Sequence, residues 1–285
     1  MLPITRIDDL DLMWDFVPSE WGTFVHPWRR ATGIFYARPR PIHHVIREVT
    51  PKETWLVYFA YLPASTAGSH HLYTLARLKD LGLPVCVVCA TPSPHQIPPE
   101  LLDYSDAMYW KHLSGYDFSA YTLAIEKIAE FSTNASALIM NDSMFGPFSD
   151  LRPFINSTPW ALSGFTASGS QENHIQSYAF ILKDINRNRL KQLRSVLYER
   201  FSFSHVNPVI SLQELRLARI AAKRMPVGAF WYSDGQFIDD PCLRKPFDLL
   251  DAGFPYLKRS LLGKMSKFQS AEQTRETLDR FQHPY

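Results

Sequence analysis

Residues 54–91 read TWLVYFAYLPASTAGSHHLYTLARLKDLGLPVCVVCAT, and the succession of patterns within them decides the fold. TWLVYFAYL (54–62) is an apolar run rich in aromatic and β-branched side chains, the signature of a buried strand. GSHHLYTLARLKDLG (68–82) sets Leu72, Leu75 and Leu78 at helical spacing, with Gly82 as a C-terminal stop. LPVCVVCAT (83–91) returns to a strand. Strand, helix, strand implies a parallel pair joined by a right-handed crossover.

The alternation continues downstream. SPHQIPPELLDYS (93–105) is a loop broken by proline, with a short helix, and AMYWKH (107–112) is a third strand. YDFSAYTLAIEKIAEF (116–131) places Tyr121, Ile125 and Ile128 on one helical face, and ALIM (137–140) is a fourth strand. Parallel sheets bind ligands at the carboxyl ends of their strands. Two loops, KHLSGYDF (111–118) and NDSMFGPF (141–148), are therefore expected on one edge. No G-x-G-x-x-G or Walker-type loop is present, so dinucleotide and P-loop chemistry have no support.

Beyond residue 150 the pattern changes. PWALSGFTAS (159–168) and HIQSYAFILK (174–183) read as two strands in mixed or antiparallel pairing. DINRNRLKQLRSVLYERF (184–201) reads as a basic amphipathic helix, and SLQELRLARIAAKRM (211–225) as a helix ended by Pro226. FDLLDAGFPYLKRSLLGKM (247–265) is largely helical with a Gly-Phe-Pro break. Residues 1–52 form an N-terminal extension, an irregular lead-in with some helix in which ARPRPIHH (37–44) is a loop. The main domain spans 53–265, and 266–285 is a helical tail.

Composition narrows the class. The chain has 285 residues, 46% of them hydrophobic and 20% charged, which suits an ordered domain with a sizeable core. A net charge of +2 is too small to argue for nucleic acid. The 14% aromatic share suits flat or amphipathic ligands, sugars included, although aromatics also fill cores. Three cysteines make no disulfide framework. Cys86 and Cys89, three apart on a strand, point to opposite faces and so form neither a metal pair nor a redox pair. With no apolar run of membrane-spanning length, no secretory leader pattern, and sequons at Asn134, Asn141 and Asn156 taken as chance matches, the expected location is the cytoplasm.

A nucleotide-binding half followed by a half with mixed strands is the layout of the GT-A glycosyltransferase fold. GYDF (115–118), NDSMFGP (141–147), GFT (164–166), HIQSY (174–178) and GFPYLK (253–258) occur in the order of the rhamnan synthesis protein F family. The chain resembles that family from about 54 to 262, departing from its Arg and Asn before GYDF with Lys111 and Leu113. The resemblance implies an α/β, GT-A-like fold with a mixed, mainly parallel sheet flanked by helices. It implies a glycosyltransferase of bacterial surface polysaccharide assembly, taking a nucleoside diphosphate sugar, rhamnose or another hexose, to a glycan or lipid-linked glycan acceptor. Mg²⁺ or Mn²⁺ is the implied cofactor. The alternative is a non-catalytic glycan-binding or scaffold module with the same fold.

Candidate site residues follow. Asn141-Asp142-Ser143 resembles the Asp-x-Asp signature, with Asp142 set to bind metal or a sugar hydroxyl. The competing explanation is an Asx-turn that ends the strand. Gly115 and Asp117 open the helix beside it and are donor-binding candidates, Asp117 also being a plausible helix cap. Lys258, with Arg259 next to it, is a candidate for the diphosphate. His174, Gln176 and Tyr178 share one face of an alternating strand and suit hydroxyl recognition, Gln176 and Tyr178 for the acceptor and His174 as a second catalytic candidate. Glu214 is the best general base for an inverting transfer. Ser211-x-x-Glu214 is also a capping box, which would explain the glutamate without catalysis. Arg187, Arg189, Lys191 and Arg194 offer peripheral contact with the inner face of a membrane, or simply a solvated face. The two His pairs, His43-His44 and His70-His71, are read as structural or surface residues.

Overall fold

In the computed structural model, the described residues are 10–19, 26–234 and 240–285, with the side chains of 26–30 excluded. Among the described residues are fourteen strands: β1 (Asp11–Asp15), β2 (Ala37–Pro39), β3 (His43–Arg47), β4 (Thr54–Tyr61), β5 (Val85–Ala90), β6 (Ala107–Lys111), β7 (Ala135–Asn141), β8 (Met144–Phe145), β9 (Leu162–Ser168), β10 (His174–Ile175), β11 (Ala179–Ile185), β12 (Phe201–Phe203), β13 (Val227–Ser233) and β14 (Leu257–Lys258). Ten of them form one sheet in the order β1-β13-β9-β11-β7-β4-β5-β6-β3, with β10 paired to β9. β4, β5, β6, β7, β9 and β13 all run the same way. β11, antiparallel to both neighbours, joins β7 to β9. This is a mixed, mainly parallel sheet between helical layers, as the alternation of apolar strands and helices in the sequence predicts.

The sheet separates two apolar layers, and β4 shows how. Trp55, Val57 and Phe59 enter the layer that holds the helix Tyr116–Phe131 through Phe118, Tyr121, Ile125 and Ile128. Leu56, Tyr58 and Ala60 enter the opposite layer with Leu75 and Leu78 of the helix Ser69–Lys79. A strand buried on both faces must be apolar throughout, which is why β4 reads as a continuous run. Cys86 and Cys89 fall in opposite layers, both buried and free.

The N-terminal 52 residues are not merely an irregular lead-in. β1 pairs with β13 and β3 with β6, so this segment supplies both edges of the sheet. The expected loop at 37–44 contains β2, which pairs with β12, and the start of β3. These strands are only three to five residues long, too short to carry a periodicity to read. The basic helix is shorter than expected, covering only Arg187–Leu193, and Arg189 is turned inward onto the Lys183 carbonyl and Asp184. The strand HIQSYAFILK is broken at 176–178 into β10 and β11. Residues 247–265 are helical only in part: β14 pairs antiparallel with β8, a ladder that ties the end of the domain to the NDSMFGPF loop.

The tail backs that loop. Leu278 of the helix Ala271–Arg280 joins a small core with Phe145, Leu257 and Leu261. Phe148 stacks on Phe281 at a 4.5 Å centroid distance. Gly146 allows the loop to turn here, with φ of +114° and an ideal Cβ position only 2.6 Å from the Pro255 carbonyl oxygen. Gly146→Ala is expected to lower stability by about 1–3 kcal/mol, through left-handed strain and overpacking. Urea denaturation of the purified variant measures it, and an unchanged midpoint would show that the turn has slack this packing does not.

Candidate functional site

A cavity of about 500 Å³ opens at the carboxyl edge of the parallel strands. Its lining draws Tyr61 from the end of β4, Gly115 and Asp117 from the loop and helix start after β6, Asn141 and Asp142 from the end of β7, and Glu214 from a helical segment outside the sheet. The two loops expected on one edge thus face the same space. Gly115 caps the helix Tyr116–Phe131 with φ of +87°, and its ideal Cβ would lie 2.7 Å from Pro41, so the backbone there requires glycine.

The Asn-Asp-Ser triplet divides its labour. Asn141 forms the Asx-turn: its Oδ1 accepts from the Ser143 amide at 3.0 Å and the Ser143 hydroxyl at 2.6 Å. Its Nδ2 donates to Asp117 Oδ2 at 3.1 Å. With the turn made by its neighbour, Asp142 is left to face the cavity. Its Oδ2 accepts from the Tyr61 amide at 3.0 Å and lies 4.0 Å from both the Arg259 guanidinium and His71 Nε2. Burial raises the Asp142 carboxyl above the ordinary range, while the Tyr61 amide and Arg259 pull it back. His71 is neutral, lowered to about 3 chiefly by burial, and its Nδ1 meets the Tyr58 hydroxyl at 2.8 Å.

Asp117 sits one residue inside the helix and is not its cap, a position that belongs to Gly115. Its carboxyl is raised to about 6, by burial first and by Glu214 second. Beneath the cavity floor, Lys111 Nζ donates to the Ser114 carbonyl at 2.8 Å and lies over the Phe59 ring. Burial lowers this lysine to about 7, with Asp117 acting the other way.

Glu214 is not explained as a cap. The helical stretch begins at Val206, capped by His205, whose side chain accepts from the Asn207 amide. It runs as a π-turn over Ile210–Glu214 and then as an α-helix over Leu215–Ala221. Ser211 lies inside this helix and caps nothing. A π-turn widens one helical turn, and such turns recur at functional sites. Glu214 Oε1 accepts from the Ser177 amide at 3.3 Å, and the side chain borders the cavity.

Other candidates lie elsewhere. His174 is buried with Nδ1 2.8 Å from the Glu172 carbonyl and does not line the cavity. Gln176 and Tyr178 do share a face, but both are buried on the Thr166 hydroxyl, at 2.5 and 2.6 Å, under Cys242. Their polar groups serve this internal network. Lys258 is held by Asp240, while the next residue, Arg259, reaches Asp142. Ser143 is spent on Asn141 and is not part of the lining. Tyr61, exposed at the rim, belongs to no quoted motif and its one legible signal is an aromatic residue at a strand end, whereas Tyr116, also exposed there, lies within GYDF. Of the two structural-or-surface readings for the His70-His71 pair, the structural one holds: His71 is buried beside Asp142, and half-buried His70 lies against it with ring centroids 4.1 Å apart.

Mg²⁺ or Mn²⁺ asks for several oxygen ligands. Among the described residues, no group of three His, Cys, Asp or Glu side chains could hold a metal ion. Asp142 would be a lone ligand with a guanidinium beside it, and Asp117 is turned to Asn141. One or two carboxylates suffice for Mg²⁺ or Mn²⁺ when phosphates and water supply the rest, so what speaks against a cation here is the guanidinium 4.0 Å from the Asp142 carboxyl.

The acid at Asp117 yields a pH prediction. A carboxyl with a folded value near 6 and an unfolded value near 3.8 destabilises the fold as it ionises. That cost is absent below the unfolded value and complete above the folded one. Relative to Asp117→Asn, the wild type should lose on the order of 2 kcal/mol of stability between pH 4 and pH 7. Urea midpoints of both proteins across that range test it, and a pH-independent difference would contradict the shift.

No family model matches the chain, and no curated protein matches it. Among solved structures it is similar to HddC from Yersinia pseudotuberculosis, at 14% identity over 66% of this chain and 93% of that one, with a TM-score of 0.38. It is also similar to a protein of Desulfovibrio desulfuricans G20 provisionally named a nucleotide-diphospho-sugar transferase, at 11% identity over 81% and 96% of the two chains, with a TM-score of 0.36. Both likenesses are shallow, and neither carries a function to this chain.

Proposed function

We propose that this protein is a glycosyltransferase that moves a sugar from a nucleoside diphosphate sugar to a glycan hydroxyl. The observation that carries this is the convergence of three carboxyl side chains, Asp117, Asp142 and Glu214, on one cavity at the carboxyl edge of the parallel strands. Carboxylates held at fixed points recognise sugar hydroxyls, and the exposed Tyr61 and Tyr116 rings at the rim suit a flat base or a sugar face. The mainly apolar remainder of the wall, including Phe59, Leu113 and Val209, limits water around the reacting atoms.

Glu214 is the general base of a single displacement. Its carboxylate takes the proton of the acceptor hydroxyl as that oxygen bonds to the anomeric carbon. The bond from that carbon to the diphosphate breaks on the opposite side, and configuration inverts. Asp117, across the cavity and mostly protonated below pH 6, donates to or accepts from the donor's hydroxyls. Asp142 orients the sugar next to the diphosphate. The resemblance of the ordered motifs to the rhamnan synthesis protein F family, which no family model bears out, is the sole support for a hexose such as rhamnose as the sugar and a bacterial surface polysaccharide, built on a lipid-linked glycan, as the acceptor. Association with the inner membrane face would then bring the enzyme to its acceptor.

Glu214→Gln keeps the acceptor oxygen that Ser177 uses and removes the base. Turnover of a nucleotide sugar should fall by roughly 10²- to 10⁴-fold, with thermal stability and donor affinity retained. Full turnover in a stable variant would remove Glu214 from the mechanism. Asp142→Asn can still accept from the Tyr61 amide, so it should fold, yet lose on the order of a hundredfold in transfer. Near-normal transfer by that variant would remove Asp142 from the site.

A further inference from the structure

The misfit of a dication at Asp142 points to a different device for the charge of the leaving group. We propose that the guanidinium of Arg259, and no metal ion, neutralises the diphosphate of the donor, so that donor binding is independent of divalent cations. This rests on the nucleotide-sugar function proposed above.

Arg259 does not itself line the cavity but is fixed against Asp142, which does. Its backbone amide donates to the Ser143 carbonyl at 3.0 Å, and its Nη1 donates to the Asp142 carbonyl at 2.6 Å. The first of these bonds extends the β8–β14 ladder, in which Lys258 faces Met144. The guanidinium also lies over the Phe145 ring, 5.9 Å from its centroid. The fork is thus held from the loop and from below, while its side chain keeps 34% of its surface exposed. A guanidinium carries five N–H donors in a plane, and only one of them is engaged by the Asp142 carbonyl. The remaining donors match the paired oxygens of a phosphate, which arginine binds in bidentate fashion.

The surroundings leave Arg259 as the cation beside Asp142. Lys258 is committed to Asp240. His70 and His71 are kept neutral by burial, and the positive charge of Arg259 adds to that effect. His283 is neutral for the same principal reason. A dication placed on Asp142 would sit within a few ångström of a fixed positive group, with no second carboxylate from the same loop to share it. A diphosphate placed there would meet the Arg259 fork beside the Asp142 carboxyl, with the neighbouring histidines neutral.

Calorimetric titration of UDP, GDP and TDP separates the alternatives, each run with EDTA and with Mn²⁺ on the wild type, Arg259→Gln and Arg259→Lys. At least one nucleotide should bind the wild type in EDTA, with an affinity that Mn²⁺ changes by no more than about threefold. Arg259→Gln should weaken that nucleotide by roughly tenfold to a hundredfold, the scale of a lost hydrogen bond to a charged group. The corresponding nucleoside should bind both proteins alike, and Arg259→Lys should fall between them. Thermal melting guards against a folding defect. Tenfold or greater tightening by Mn²⁺, or unaltered affinity in a stable Arg259→Gln protein, overturns the Arg259 proposal while leaving the nucleotide-sugar function standing. Failure of every nucleoside diphosphate under both conditions overturns both together.

Discussion

The side chain of Asn141 joins the parts of the site. One end of its amide holds the carboxyl of Asp117 from the neighbouring loop, and the other closes the turn through Ser143. Because Asn141 satisfies both, the chain leaves the sheet at a fixed angle and Asp142 emerges toward the cavity. Tyr61 from β4 and Arg259 from the far end of the domain then grip Asp142 from two sides. Four segments distant in sequence meet within three consecutive residues. A small polar triplet at the end of a buried strand is what such a junction needs, since each backbone polar group leaving the core must find a partner.

Charge in the cavity is balanced unevenly, and the imbalance has chemical use. Glu214 opposes the ionisation of Asp117 across the cavity, while Lys111 lies buried under the floor. Arg259 stands on the opposite flank beside Asp142. One end of the cavity is therefore suited to hydroxyls and to a proton in transit, while the proposed place for an anion is at the Asp142 edge, where Arg259 stands behind the cavity lining. A nucleoside diphosphate sugar has that same polarity along its length, with a doubly charged linker next to a neutral, hydroxyl-rich ring. The C-terminal tail matters because Phe281 and His283 pack on the segment from Phe145 to Phe148, which carries the loop.

Much of this was legible in the sequence, for definite reasons. Continuous apolar strands alternating with helices of period 3.6 revealed the parallel core, and the topology of such a core fixes which loops share an edge. Gly115, Asp117, Asn141, Asp142 and Glu214 all border the cavity they were expected to share. Periodicity reports which face a side chain occupies but not what covers that face. Gln176 and Tyr178 do point the same way, yet the Cys242 segment closes over them. One residue of register separates Lys258, paired to Asp240, from Arg259, paired to Asp142, and no local pattern distinguishes the two cations. The capping-box pattern at Ser211 lies inside a helix that begins earlier, at a residue no capping rule singled out. The short edge strands from the first 52 residues are specified by their partners in the sheet, which the sequence does not name.

The central claim is that a nucleoside diphosphate occupies the cavity between Tyr61, Asp117 and Asp142. A crystal structure of the wild type with a bound nucleoside diphosphate tests it most directly. The account predicts the base or ribose against the Gly115–Asp117 loop and the diphosphate at the Asp142–Arg259 edge, with Glu214 left open to an incoming hydroxyl. A nucleotide bound at another surface, with this cavity empty, would contradict it.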